Sequence, residues 1–211
     1  MTPEEINKAA LLIWEKWDTD ELMDELPEDC RPQTDQDAHA IQSAFPSVSG
    51  LPHAGWKIAA TSQAGQKHIQ VNGPLAGRLL RGRILEDGAV CSLTANSMGV
   101  MEAEFAFRFG ELVPPRDRAY TAEEVFSRVS ELCLTIEIPD TRFNGLNGKL
   151  QLLAECACSW WLVKSAPVQV NWRDLDLKSH KVNVSRNGEN VAEGVGANVL
   201  GDPREALSWL V

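Results

Sequence analysis

Two apolar stretches of this chain alternate in the way that β-strands do, and both carry acidic residues. Residues 101–107 read MEAEFAF, and residues 132–138 read LCLTIEI. Because successive side chains of a strand point to opposite faces, Glu102 and Glu104 share one face, and Glu137 lies opposite the leucines and isoleucines of its own strand. Such a pattern is most often a solvated face. The alternative is a cage for a hard divalent cation such as Mg²⁺ or Mn²⁺, which prefers oxygen ligands.

The first part of the chain has helical patterning. Thr2, Pro3 and Glu5 form a helix start with a capping box, and apolar residues at helical spacing follow. A second helix is predicted over residues 34–45, and the segment from Pro46 to Pro52 is expected to end it. These two helices predict an N-terminal helical arm over residues 1–50.

After residue 50 the pattern becomes strand-like, with short apolar runs separated by Gly and Pro. The predicted strands cover residues 55–60, 79–85, 101–109 and 132–138.

Helices and a hairpin complete this second part. Helices are predicted over residues 121–132, 149–162 and 204–210, and Asn187-Gly188 predicts a tight hairpin turn. The fold class is therefore α+β, with a helical arm followed by a strand-rich body over residues 51–211.

Charge and cysteine content narrow the classes of partner. The 211 residues carry a net charge of −10 and contain no basic run, which argues against nucleic acid and against anionic membranes. The five cysteines are odd in number and scattered, so we expect no disulfide framework and no zinc site. With no signal peptide and no apolar run of membrane-spanning length, we expect a cytoplasmic protein.

A lysine in the first predicted strand is the second candidate for chemistry. Lys57 lies in GWKIAATS at residues 55–62, among glycine and small residues. It could bind a substrate carboxylate or transfer protons, or it could be a surface lysine with its ammonium group in water.

Four segments together resemble the 2-keto-4-pentenoate hydratase group of the fumarylacetoacetate hydrolase superfamily. The segment around Lys57 is similar to the group's G-x-K-[IV]-x-x-T-[SN] motif. EAEFAF at 102–107 resembles E-x-E-[IF]-A-F, EIPDTRF at 137–143 resembles E-[IV]-x-D-[ST]-R, and EGVGANVLGDP at 193–203 resembles a small-residue loop. Order and spacing agree over about three quarters of the chain.

This resemblance implies a site and a reaction. Glu102, Glu104 and Glu137 would hold Mg²⁺ or Mn²⁺, and Lys57 would match the group's active-site lysine. The substrate would be a small 2-keto or 2-hydroxy-dienoic acid to which water is added. The remaining residues that the matched segments assign to substrate binding are Thr61, Ser62, Asp140, Arg142, Gly194 and Gly196. Gly194 and Gly196 could let backbone N–H groups approach the ligand, or could simply form a turn.

The resemblance also implies a mixed β-sheet roll with peripheral helices, assembled as a homodimer or a multiple of dimers. One departure bears on the reaction, because Leu75 stands where hydratases carry an acidic residue. His68 and Arg78 are nearby substitutes, each more typical of a structural or surface residue. The alternatives are therefore a decarboxylase or C–C bond hydrolase of a 2-keto acid on the same scaffold, or a non-catalytic accessory subunit that binds metal and keto acids.

Overall fold

The structure, a computed structural model, describes residues 1–145 and 147–211. Its helices are α1 (Pro3–Thr19), α2 (Asp35–Ser49), α3 (Gln63–His68), α4 (Ala122–Phe126), α5 (Gly148–Ala154) and α6 (Pro203–Leu210). Its strands are β1 (His53–Ala59), β2 (Leu75–Leu80), β3 (Ile84–Glu86), β4 (Glu102–Phe109), β5 (Val129–Ile138), β6 (Trp161–Lys164), β7 (Lys181–Arg186) and β8 (Glu189–Val195). The α+β class is confirmed.

Helix α1 starts as its sequence predicts. Thr2 caps it, Pro3 occupies the first turn, and the side chain of Glu5 completes the capping box. Its apolar face, which includes Ile13 and Trp17, is buried in the core that it shares with α2. The helix is therefore fixed by its own cap at one end and by packing along its length.

Helix α2 extends beyond residue 45, where it was predicted to end. Pro46 lies inside the helix, which runs to Ser49 and ends at Gly50 with a left-handed φ of 69°. The helix was therefore predicted to end too early, at residue 45, although its end does lie within the segment from Pro46 to Pro52. Phe45 is fully buried and Val48 packs against the same core, so burial of the last turn offsets the backbone hydrogen bond that proline cannot make.

The chain divides into two compact units. One contains Met1–Glu102 and Glu137–Val163, and the other contains Ala103–Ile136 and Lys164–Val211. The division passes through strands β4, β5 and β6, so it differs from the sequence position at residue 50 where the predicted arm ends. The arm and body stay a prediction.

The first unit has a core formed by α1, α2, α5 and β2. Strands β1 and β2 pair antiparallel, with Lys57 opposite Gly77 and Trp56 opposite Arg78. The predicted strand over 79–85 was misplaced, because β2 begins at Leu75 and a short 3₁₀ turn separates it from β3.

The second unit has its own smaller core, built around Phe126, Leu132, Trp172 and Leu207. Strands β7 and β8 form the predicted hairpin, and both turn residues, Asn187 and Gly188, have the left-handed φ values that this turn requires.

Two predicted helices are shorter than expected. Helix α4 ends at Phe126 and the chain enters β5 at Val129, although the sequence favoured helix to residue 132. Helix α5 ends at Ala154 instead of 162, because the backbone at residues 156–158 is left-handed and β6 follows. After α4 the chain contributes to a strand, whose tertiary pairing overrides local helix propensity. After α5 the left-handed turn at residues 156–158 comes between the helix and its strand.

Strand β5 buries the face that carries its acid. In the four-stranded sheet, whose order is β3-β6-β5-β4, Thr135 and Glu137 are buried, whereas Leu134 and Ile136 are about half exposed. A solvated position for Glu137 is therefore wrong. None of the helices in residues 1–145 and 147–211 is both long and apolar enough to cross a membrane.

Candidate metal centre

Lys57 lies inside the first unit and does not extend into water. Its side chain is 3% exposed, on the face of β1 opposite Trp56. Its Nζ donates a hydrogen bond to the carbonyl oxygen of Ala157 at 3.0 Å and lies 3.0 Å from Oε2 of Glu137. The interpretation of Lys57 as a surface lysine is therefore wrong, and this lysine forms a buried ion pair.

The three acids singled out in the sequence lie together. One carboxylate oxygen from each of Glu102, Glu104 and Glu137 lies within 4.8 Å of the others. Glu102 and Glu104 occupy one face at the start of β4, and Glu137 is near the end of β5 with 1% of its side chain exposed. All three donors are oxygens, which is the donor set that Mg²⁺, Mn²⁺ and Ca²⁺ prefer and zinc does not require.

The electrostatics of Glu137 favour a nearby cation. Burial raises the pKa of this carboxyl above its usual value, and the negative charge of Glu102 raises it further. The ammonium group of Lys57 opposes both effects. A buried carboxylate beside a second one is costly when only one positive charge compensates it, so a divalent cation at the three oxygens fits the residues present.

An unusual backbone segment supplies the carbonyl that holds Lys57. Cys156, Ala157 and Cys158 all have left-handed φ values, between 52° and 63°. Each such residue costs about 1–2 kcal/mol when it carries a side chain, so surrounding contacts must hold the segment in place. The sequence gives no glycine here, and left-handed backbone at three successive positions was not predicted.

Gly77 allows this segment to approach β2. A Cβ atom at this position would lie 1.9 Å from the carbonyl oxygen of Cys156 and 3.2 Å from Cδ of Lys57. Sequence reasoning missed this role, although a glycine inside a strand is a known sign that another backbone approaches closely.

Gln42 is the second residue that sequence reasoning missed. It is fully buried on α2, and its amide donates to the carbonyl oxygens of Ala76 and Leu153 at 2.9 and 2.6 Å. Its Oε1 accepts the backbone N–H of Arg78 at 3.2 Å. The available signal was a glutamine within the apolar stripe of a helix, where a polar side chain needs buried partners.

Asp140 and Arg142 are buried beneath the surface of the first unit. The guanidinium of Arg142 pairs with Oδ2 of Asp140, and each side chain is 1% exposed. Oδ1 of Asp140 also accepts the backbone N–H groups of Ser97 and Met98 and the hydroxyl of Ser97. These contacts give both residues a role in holding loop and strand ends together, while contact with substrate stays a prediction.

A buried glutamate supports the same region. Glu155 accepts hydrogen bonds from the hydroxyl of Thr141 at 2.7 Å and from the backbone N–H of Arg142 at 2.6 Å. Burial nevertheless raises the pKa of Glu155 to about 7. The group is therefore partly protonated near neutral pH, which limits the cost of burying it.

The remaining predicted substrate ligands have local structural roles. Ser62 caps α3 by accepting the backbone N–H of Gly65 at 3.0 Å, and Thr61 precedes it, partly buried. Gly194 and Gly196 belong to the second unit, where a Cβ on Gly196 would lie 1.7 Å from the carbonyl oxygen of Leu177. Their contact with a ligand stays a prediction.

Leu75 and the two residues suggested as substitutes for the hydratase acid occupy structural or surface positions. Leu75 is buried in the core of the first unit, and Arg78 stacks on Trp56, on the face of the ladder opposite Lys57. His68 is exposed at the end of α3.

Comparisons with known proteins found relatives in sequence and in fold. No protein-family model matches the chain. The chain is 29% identical over 163 residues to a 2-hydroxyhexa-2,4-dienoate hydratase from Comamonas testosteroni, covering 77% of the chain and 62% of that protein. It is 29% identical over 215 residues to a 2-keto-4-pentenoate hydratase from Paraburkholderia xenovorans, covering 100% and 78%. The chain thus spans 62% and 78% of the length of these two relatives.

A solved structure shares the fold. The 4-oxalocrotonate decarboxylase from Pseudomonas putida G7, complexed with magnesium and adipate, superimposes with a TM-score of 0.85. The match covers 100% of this chain and 80% of that one at 22% sequence identity. At this identity the similarity shows the fold.

Proposed function

The chain belongs to the 2-keto-4-pentenoate hydratase group of the fumarylacetoacetate hydrolase superfamily, and we propose that it is a divalent-metal-dependent hydro-lyase. Its substrate is a small 2-hydroxy-2,4-dienoate, in keeping with the names of its relatives. The observation that carries the proposal is the buried pair of Lys57 and Glu137 within the three-carboxylate cluster.

Glu102, Glu104 and Glu137 are the residues that would hold Mg²⁺ or Mn²⁺. A divalent cation bound there supplies electrostatic stabilisation for negative charge that develops on a 2-oxo or 2-hydroxy oxygen of the substrate. The magnesium in the neighbouring decarboxylase structure supports a divalent ion, without deciding between the two metals.

Lys57 is the proposed acid–base or carboxylate-binding residue. Hydration of a 2-hydroxy-2,4-dienoate removes the proton of the 2-hydroxyl, adds a proton at C5, and then adds the oxygen of water at C4 and its proton at C3. A buried ammonium group can donate in these steps and take the proton back, or neutralise the substrate carboxylate. Thr61, Ser62, Asp140, Arg142, Gly194 and Gly196 are proposed to bind the rest of the substrate.

A decarboxylase is the second candidate. The fold is shared with a 4-oxalocrotonate decarboxylase, and Leu75 leaves the hydratase acid without an obvious substitute. Loss of carbon dioxide from a 2-keto diacid uses the same charge stabilisation at the 2-oxo oxygen. Product analysis separates the two reactions.

We also propose the architecture, location and assembly that the sequence predicts. They are a mixed β-sheet roll behind a helical arm at residues 1–50, a body over residues 51–211, a cytoplasmic location, and a homodimer or multiple of dimers. The shared fold supports the roll.

Turnover of freshly generated 2-hydroxypenta-2,4-dienoate tests the function. We expect its conjugated ultraviolet absorbance to fall with Mg²⁺ or Mn²⁺, to persist with a chelator, and to yield a 4-hydroxy-2-keto acid. Release of carbon dioxide from a 2-keto diacid, with no hydration, would instead favour the decarboxylase. Binding of Mn²⁺ without turnover of either substrate would favour an accessory subunit.

Glu104→Gln tests the ligand set. We expect the variant to keep its fold, to lose metal-dependent turnover, and to bind Mn²⁺ more weakly, because a neutral amide replaces an anionic ligand. Glu189→Gln, on the exposed hairpin, is the matched control. Full activity of Glu104→Gln with the same metal requirement would exclude Glu104 as a ligand.

A further inference from the structure

We propose that Gln42 and Gly77 are positioning residues that hold the ammonium group of Lys57 through the carbonyl of Ala157. The inference rests on the proposed function only for its effect on turnover. The packing that it describes belongs entirely to the first unit. It assigns to helix α2 a part in the chemistry that no motif indicates.

The contact that fixes Lys57 comes from a segment 100 residues away in sequence. Residues 156–158 are anchored by backbone hydrogen bonds, because the N–H of Ala157 donates to Leu152 and the carbonyl of Cys158 accepts the N–H of Asp140, both at 2.9 Å. These bonds hold a left-handed backbone that would otherwise relax. The carbonyl of Ala157 is therefore held in one direction, toward Nζ of Lys57.

Gly77 sets the distance between this segment and the lysine. It lies directly opposite Lys57 in the β1–β2 ladder. A methyl group here would overlap the carbonyl of Cys156 and press on the Lys57 side chain. Because the overlapping atom is backbone, the segment and not a flexible side chain would have to move.

Gln42 fixes the same place from the other side. It bonds the backbone of Ala76 and Arg78, the two neighbours of Gly77, and the carbonyl of Leu153 at the end of α5. One side chain therefore ties β2 to the helix that leads into residues 156–158. Loss of its three hydrogen bonds would let the strand and the segment separate without removing any group near Lys57.

The consequence is a catalytic lysine whose position depends on remote backbone. A lysine side chain has several rotatable bonds, and its ammonium group reaches a reacting atom productively only when those bonds are fixed. The carbonyl of Ala157 and the carboxylate of Glu137 supply two fixed points at 3.0 Å.

Two variants with matched controls test the kinetic effect. Gly77→Ala is compared with Gly73→Ala, where a Cβ meets no atom within 4 Å. Gln42→Met is compared with Gln36→Met, an exposed position on the same helix. We expect kcat to fall about ten- to a hundredfold in the first member of each pair, with KM changing less than about threefold, and no change in the controls.

Chemical labelling tests the positioning without turnover. Lys57 is acylated with an N-hydroxysuccinimide ester and quantified by peptide mass spectrometry, with exposed Lys181 as the reference. Alkylation of Cys30, a buried thiol of the same unit, reports loss of packing. We expect at least a fivefold faster acylation of Lys57 in both variants while Cys30 stays protected.

The outcomes separate the two proposals. Absence of turnover in the wild-type protein overturns the proposed function. The labelling of Lys57 then decides by itself whether Gln42 and Gly77 position this lysine. Unchanged labelling of Lys57 in folded Gln42→Met overturns the positioning, whatever the kinetics. Equal exposure of Lys57 and Cys30 in either variant assigns that residue a general packing role and also contradicts the inference for it.

Discussion

Two antiparallel strand pairs of this protein have similar hydrogen-bonding ladders but differ in the contacts that stabilise them. The β1–β2 and β7–β8 ladders each pair two strands with one irregularity in register. The hairpin residues are mostly exposed, and its Asn187-Gly188 turn links neighbouring strands. The β1–β2 ladder buries Lys57 and receives a backbone segment from residues 156–158.

This difference shows that local sequence is sufficient to predict the pairing of one strand pair and not that of the other. A two-residue turn with left-handed residues specifies a hairpin by itself, so the sequence predicts β7 and β8 directly. The pair of β1 and β2 has no short turn, and its distinctive contacts join residues far apart in the chain. Substitutions should therefore have large effects in the β1–β2 ladder and small ones in the hairpin.

The largest expected difference comes from removing a lysine in each ladder. Lys57→Met leaves Glu137 buried without its ion-pair partner, and in metal-free protein we expect the free energy of unfolding to fall by about 3–5 kcal/mol. Lys181→Met, on the exposed β7, should change it by less than about 0.5 kcal/mol. Urea denaturation at pH 7 measures both. Equal effects would show that the Lys57–Glu137 pair contributes no more than a surface charge.

The next largest effect is the contribution of Glu155 to the change in unfolding free energy with pH. Its pKa is about 7 in the folded protein, above the 4.5 of an unperturbed glutamate. The unfolded chain therefore loses this proton first as pH rises. The stability that Glu155 contributes is fully present below pH 4.5 and is lost as pH rises through 7.

The comparison of Glu155→Gln with wild type at pH 5 and pH 8 isolates this contribution. We expect the difference in unfolding free energy between the two proteins to change by roughly 2.5 kcal/mol between these pH values. Glu189→Gln, in the hairpin, should leave the pH dependence of the wild type unchanged. A parallel pH profile for Glu155→Gln would mean that this carboxyl titrates normally.

A smaller effect is expected where the hairpin ends. Gly196→Ala would place a Cβ against the carbonyl of Leu177, and we expect a loss of about 1–3 kcal/mol in unfolding free energy. Gly194→Ala is the control, because the nearest atom to its Cβ is Asn198 Nδ2 at 3.8 Å. A neutral Gly196→Ala would leave ligand approach as the better reason for this glycine.

The smallest effect is expected within the hairpin turn. Gly188 has a φ of 86°, and no atom lies within 4 Å of its Cβ position, so Gly188→Ala incurs only backbone strain of about 1 kcal/mol. Thermal unfolding measures this against Gly73→Ala, whose Cβ also meets open space. A loss as large as that of Lys57→Met would remove the contrast between the ladders.

The fold was predictable where one short segment contains its own signal. The capping box of Thr2 and Glu5, the Asn187-Gly188 turn and the last helix, predicted over residues 204–210, are each confirmed. Helix α4 was predicted too long because the apolar residues after it fit a helix and a buried strand equally well by pattern. Helix α5 was predicted too long because no local pattern indicates the left-handed turn at residues 156–158.

The residues of the candidate site could be predicted from the sequence, but the residues that hold them in place could not. Glu102, Glu104, Glu137 and Lys57 were identified from strand alternation and family resemblance, and the first three lie within 4.8 Å. The contributions of Gln42 and Gly77 depend on contacts with residues 76–78 and 153–157, which no local pattern shows.

The sequence by itself determined the start of α1, the shared face of Glu102 and Glu104, and the tight hairpin, because propensity, capping and alternation act within a few residues. Only the tertiary structure decided that Glu137 is buried, that Lys57 pairs with it, and that a left-handed backbone at residues 156–158 holds that lysine. Burial and ion pairing depend on which distant segments pack together, and the cost of strained backbone is offset only when that packing is complete.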